Sequence, residues 1–208
     1  MNALPSAVYL FFLLVLSYCL VVRPYFSTKT LETEIVTAYI GLGSNLGDRA
    51  GNLLLAVRGL LEASFLVNKL SAIYETEPVD IESSANFLNM VAEIHVRNVI
   101  PSQMMARLLR IEYLLGRRDK SLKKPRTVDL DILLFGDHQM DTPFLTLPHP
   151  RMHLRRFVLT PLAEIAPNLF HPVLRKTISE LLAEVDDHSQ VMRWNPNASH
   201  EFDMALGR

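Results

Sequence analysis

Residues 127–136 read TVDLDILLFG, the clearest strand signal in the chain. Successive strand side chains point to opposite sides, so Asp129 and Asp131 share one face while Leu130 and Ile132 take the other. Upstream, Pro101 opens PSQMMARLLRIEYLLG, where Met104, Leu108, Ile111 and Leu115 recur at helical spacing and Gly116 stands where the helix ends. Before that helix come two strand-like segments, FLVNKLSAIYETEP over 65–78 and NFLNMVAEIHVR over 86–97, joined by the polar stretch VDIESSA. Ile35 to Leu42 predicts a buried strand ending in a glycine-rich turn, and Asp48 can cap the helix after it. Leu53, Leu54, Val57, Leu60 and Leu61 predict the buried side of that helix. The order strand, helix, strand, strand, helix, strand is that of an α+β, ferredoxin-like β-α-β-β-α-β core, with helices on one face of a mainly antiparallel sheet. After Gly136 the sequence adds a hairpin and two helices, near 157–165 and 177–185, and then a polar tail over 187–208.

The chain has 208 residues, 49% hydrophobic and 21% charged, with a formal net charge of -1, which excludes a disordered chain. Twenty-one basic residues against 22 acidic ones exert no overall pull toward nucleic acid. One cysteine, Cys19, excludes an intrachain disulfide framework and a cysteine-rich zinc site. Ala3 to Val22 is a run of 20 residues without a charge, long enough to span a bilayer as a helix. Three readings of 1–34 compete: a membrane anchor, upstream sequence included by a misassigned start, or a signal or transit segment. Arg23 and Lys29 follow the run, which as an anchor would keep the remainder on the cytoplasmic side. The organisation expected is 1–34 as a hydrophobic segment, 35–186 as the working domain, and the tail.

Two carboxylates side by side on a strand repel, and a divalent ion removes the conflict; oxygen-only ligands suit magnesium. The alternative is two acids on a solvated strand face. Between Arg107 and Arg126 eight basic residues, Arg117, Arg118, Lys120, Lys123 and Lys124 among them, face only Glu112 and Asp119. HPRMHLRR adds His149, Arg151, His153, Arg155 and Arg156. Acids ringed by arginines suit a nucleoside triphosphate with its metal, whereas the basic residues alone fit a solvated helix face or a nucleic-acid patch. GLGSNLGD fails as a dinucleotide loop, since Leu46 stands where the third glycine should be, and it lacks the Gly-Lys-Ser/Thr of a P-loop.

Six blocks carry a family resemblance: AYIGLGSNLGD (38–48), YETEP (74–78), NFLNMV (86–91), IEYLLGR (111–117), PRTVDLDILLFG (125–136) and LPHPRMHLRRFVLTPLAEIAP (147–167). In this order they resemble the 6-hydroxymethyl-7,8-dihydropterin pyrophosphokinases of folate biosynthesis. The resemblance implies transfer of pyrophosphate from ATP to the pterin hydroxymethyl group, release of AMP, two Mg2+ ions and a ferredoxin-like fold. It implies Asp129 and Asp131 as metal ligands. Glu112, Arg117, Arg126, Ile132, Thr146, His149 and Arg155 would contact ATP. Thr76, Pro78, Val79, Phe87, Asn89 and Phe157 would hold the pterin, a flat heterocycle that wants aromatic faces and a carboxamide. In the loop GRRDKSLKKPR, Lys123 and Lys124 stand where other forms of the family carry Trp-Gly.

The mechanism expected is in-line attack of the pterin hydroxyl on the β-phosphorus of ATP. Arg117 and Arg126 stabilise charge with Arg155, and Asp131 is the candidate proton acceptor. The expected setting is a cytoplasmic monomer, with membrane attachment through residues 3–22 as the anchor reading. The alternatives are a metal-dependent nucleotidyl or pyrophosphoryl transferase with another acceptor, and an inactive pterin- or nucleotide-binding module.

Overall fold

A computed structural model describes residues 35–77, 86–117 and 125–196. The uncharged run at 3–22, Pro78, Val79, and Arg118 to Lys124 of the basic loop lie outside those residues. The strands are β1 (Ile35–Ser44), β2 (Leu66–Leu70), β3 (Tyr74–Thr76), β4 (Phe87–Arg97), β5 (Asp129–Phe135), β6 (Met140–Asp141), β7 (Thr146–Leu147) and β8 (Val191–Arg193). The helices are α1 (Arg49–Glu62), α2 (Pro101–Leu114), α3 (Arg156–Ile165) and α4 (Ile178–Glu184).

The main sheet runs β5-β1-β4-β3-β8, with β2 also on β4, and each of these pairs is antiparallel. This is the strand order of the expected ferredoxin-like core, and β6 and β7 form the expected hairpin. Asp48 caps α1 by accepting the Gly51 N–H at 3.0 Å. Pro101 opens α2, and Gly116, at φ +95°, ends it in the left-handed region that glycine adopts without strain.

Four expectations need correction. The strand β1 runs on to Ser44, so Gly41 and Gly43 lie within it and the turn falls on 45–48, with Gly47 at φ +65°. The segment 65–78 is two strands, not one. At the break the Ser71 hydroxyl accepts the Val91 N–H at 2.9 Å, taking a place a main-chain carbonyl would hold in the ladder. In α1, Leu53, Ala56 and Leu60 are buried, whereas Leu54 and Leu61 face solvent, because the buried stripe is narrower than the run of leucines. The two core helices share one face, as the ferredoxin-like pattern expects, with Leu53, Leu60, Met104 and Leu108 of α1 and α2 packed there; the added helices cover the other through Leu159 and Leu162 of α3 and Ile178 and Leu181 of α4. Finally, 187–208 is not wholly a loose tail, since Val191–Arg193 form β8 along the free edge of β3.

Candidate active site

The alternation of β5 holds: Leu130 and Ile132 join the core under α1 and α2, and Asp129 and Asp131 look out on the other face. Register decides what faces them. Gly43 lies opposite Asp129 and Gly41 opposite Asp131 on β1, and across Gly43 on β4 lies Asn89. Two positions flanking the carboxylates thus carry no side chain. A Cβ on Gly43 would come within 3.0 Å of the Asn89 Oδ1, tighter than ordinary contact. The space left is a narrow cleft of about 70 Å³ between this face and the start of α3.

Of the residues expected from sequence, Phe87, Asn89, Arg126, Asp129, Asp131, His149, Arg155 and Phe157 line this one cleft. Asn89 is buried, and its Nδ2 donates to Thr76 Oγ1 at 2.7 Å, which orients the carboxamide. The Arg126 guanidinium lies 5.5 Å from the centroid of the Phe87 ring and Arg155 5.4 Å from that of Phe157, so each aromatic face carries a cation. Arg126 also pairs through Nη2 with Asp129 Oδ2 at 3.1 Å, while its Nε is buried without a hydrogen-bond partner. A buried N–H of that kind suits an anionic oxygen.

Arg117 Nη1 donates to Asp129 Oδ1 and, at 3.1 Å, to Glu112 Oε1. Glu112 is buried and accepts the Leu130 N–H at 2.7 Å, so it locks both the arginine and the start of β5. Two elements that the sequence reading missed complete the placement. Asn45 Oδ1 accepts the Arg126 N–H at 2.8 Å and ties that segment to the end of β1. An extra residue, Leu133, bulges from β5 opposite Tyr39 and Ile40, and its carbonyl accepts the His149 N–H at 2.9 Å. A bulge re-aims the chain beside it, and here it brings the proline-histidine block to the aspartates. GSN before the turn was the available signal for Asn45; the bulge has none in the residues alone.

Two expected residues lie elsewhere. The Ile132 side chain is in the core under α1 and α2, because it sits on the face of β5 opposite the aspartates. Thr146 donates to Asp141 Oδ1 at 2.8 Å and lines a neighbouring cavity of about 460 Å³, which shares His149 with the cleft. Among the described residues no three His, Cys, Asp or Glu side chains converge as a metal cage. Asp129 and Asp131 do fit magnesium by donor chemistry, since a hard divalent cation takes oxygen ligands.

The family model described as 7,8-dihydro-6-hydroxymethylpterin-pyrophosphokinase (HPPK) matches residues 39–167. The chain is 50% identical over 129 residues to the 2-amino-4-hydroxy-6-hydroxymethyldihydropteridine pyrophosphokinase of Bacillus subtilis, covering 62% of this chain and 77% of that one. It is 38% identical over 151 residues to the enzyme of that name from Aquifex aeolicus, covering 72% and 92%. Among solved structures, a Plasmodium falciparum HPPK-DHPS with pteroate superposes with a TM-score of 0.61 at 16% identity, a likeness of fold. The match covers 74% of this chain and 45% of that structure, so the chain spans less than half of it.

Proposed function

The chain belongs to the 7,8-dihydro-6-hydroxymethylpterin-pyrophosphokinase family, and from that premise we propose how its own residues carry the reaction. Pyrophosphate passes from ATP to 6-hydroxymethyl-7,8-dihydropterin and AMP leaves, a step of folate biosynthesis. The observation that carries the assignment of residues is the juxtaposition, in one cleft, of the aspartate pair with the Asn89 carboxamide and two aromatic rings.

In this reading the pterin lies against Phe87 and Phe157 and pairs its polar edge with Asn89, whose orientation Thr76 sets. Its hydroxymethyl group then points toward Asp129 and Asp131. These two would hold Mg2+, which when bound would neutralise phosphate charge and favour the ionised hydroxyl. Arg126 and Arg155 move from the aromatic faces to the phosphate oxygens, and Arg117 stabilises the charge that develops on transfer. His149, on the rim shared by both cavities, contacts the nucleotide. Asp131 accepts the hydroxyl proton in this reading. The cytoplasm, where ATP is supplied, is the expected setting.

Replacing Asp129 and Asp131 together by alanine should abolish AMP release from ATP in the presence of the pterin while leaving the chain folded. Full activity in the double variant would defeat the assignment. ATP binding with no pterin-dependent AMP would favour a transferase with another acceptor.

A further inference from the structure

Asp187 lies between α4 and β8, remote in sequence from the aspartate pair, yet it holds the start of α3, which lines the cleft. Its Oδ2 accepts the Arg156 N–H at 2.7 Å and its Oδ1 the Ser189 N–H at 3.0 Å. Arg156 is the first residue of α3, and Arg155 before it supplies no side-chain cap. A helix leaves its first N–H groups without intrahelical acceptors, and a carboxylate beside them is favoured by hydrogen bonding and by the helix dipole. The helix is therefore capped from outside, by a residue 31 positions downstream. Burial pushes the Asp187 carboxyl up, but hydrogen bonds from Ser189 and the Arg156 N–H, with the Arg156 charge, hold it below its ordinary 3.8.

Beyond Asp187 the same segment becomes β8. Val191 pairs with Thr76 and Arg193 with Tyr74, and the Trp194 N–H donates to the Ile73 carbonyl at 2.8 Å. Thr76 in turn orients Asn89. Residues 187–194 thus tie together the two walls of the cleft: the start of α3, which carries Phe157, and the strand edge that holds Asn89.

We propose that Asp187 is a positioning residue for the pterin slot, holding α3, and with it Phe157, at a set distance from Asn89. The proposal rests on the pterin reading of the cleft given above. A flat ring held between an aromatic face and a carboxamide tolerates little displacement of either, and a shift of about 1 Å is costly. Most phosphate-facing groups have other anchors: Asn45 holds the Arg126 backbone, Glu112 holds Arg117, and β1 holds Asp129. Only Arg155 adjoins the start of α3. Loosening α3 should therefore fall on the pterin more than on ATP.

The test is AMP formation by the full chain with each substrate varied in turn. Asp187→Ala should raise the pterin KM about fivefold or more and leave the ATP KM within about twofold. Asp187→Asn, whose side-chain oxygen can still accept the Arg156 N–H, should restore the pterin KM to within about twofold of wild type. An unchanged pterin KM in Asp187→Ala, or equal rises in both KM values, overturns the proposal. Should Asp187→Ala not fold, Asp187→Glu carries the test: its longer arm keeps the charge but displaces the cap, and an unchanged pterin KM there also overturns it. Wild type, assayed alongside, separates the two failures. No AMP from wild type defeats the pterin reading itself, whereas active wild type with an indifferent Asp187→Ala defeats only the role of Asp187.

Discussion

Asp129 and Glu93 lie on the same face of the sheet, near opposite ends of α3, and their carboxylates are satisfied in different ways. Glu93 accepts hydrogen bonds from Asn68 Nδ2 and, at 3.1 Å, from the Tyr39 hydroxyl, with Lys69 Nζ at 3.4 Å. Burial alone would raise its pKa, but the bonds from Asn68 and Tyr39 and the Lys69 charge bring it below the ordinary 4.5. Tyr39 is pushed up in turn, by burial and by the carboxylate it faces. Side chains fill the space around Glu93: Tyr39 stands opposite it on β1 and Lys69 on β2, and Lys69 also reaches the Ile165 carbonyl at the end of α3. Asp129 instead carries an arginine on each oxygen and a glycine opposite it, beside a cleft. A buried acid is therefore not enough to mark a site. What separates the two is room beside the carboxylate, and counter-charges that an incoming phosphate can recruit.

The largest expected effect attacks that contrast directly. Asp131→Ala should lower the rate of AMP formation by about a thousandfold or more with little change in Tm, since the loss falls on metal and charge stabilisation. Glu93→Gln should do the reverse. Activity stays within about twofold while urea denaturation shows a loss of about 1–3 kcal/mol from the broken buried network. Substantial inactivation by Glu93→Gln, in chain that remains folded, would erase the distinction.

Next in size, Arg126→Ala should reduce kcat about a hundredfold, the usual scale for one charge-stabilising donor. Arg126→Lys should recover little of it, because a lysine cannot make a forked contact with phosphate oxygens. Gly43→Ala tests the room itself. Its Cβ would push on the Asn89 Oδ1, so the pterin KM should rise about five- to tenfold with the ATP KM nearly constant. Parallel changes in both constants would locate the damage outside the pterin slot.

The smallest effect concerns His171, in the wall of the neighbouring cavity. Burial and the nearby His153 hold its pKa below the ordinary 6.5, and its Nδ1 accepts the Leu174 N–H at 3.1 Å. A histidine depressed in the folded state contributes stability that is complete above the unfolded value and declines as pH falls below it. Wild type should thus lose Tm as pH falls below about 6.5, and His171→Gln should flatten that slope. Glu93, depressed from 4.5, contributes its stability above that value and loses it only at lower pH, so the two windows are distinct.

Much of this site is legible from local pattern. Alternation put Asp129 and Asp131 on one face, periodicity found both core helices, and the order of elements implied the fold. Local pattern is blind where the partner is remote. Gly41 and Gly43 suggested a turn because glycine after an apolar run ordinarily marks one; their use as empty cross-strand positions depends on registers with β4 and β5. Ile132 is the opposite case: the resemblance puts it beside the nucleotide, whereas the local alternation of β5 already sends its side chain to the core. The polar composition of 187–208 suggested a loose tail, yet a short edge strand needs only a free edge to pair with, and β3 provides one.

The sequence by itself determined which face of β5 carries the aspartates, where the second helix begins and ends, and which residues carry charge. Backbone geometry imposes these periods locally, within a few residues. The tertiary structure alone decided that two glycines face two aspartates, that a bulge at Leu133 brings in His149, and that Asp187 caps a distant helix. Each of these depends on register or on contact between remote segments, and packing the whole chain sets both at once.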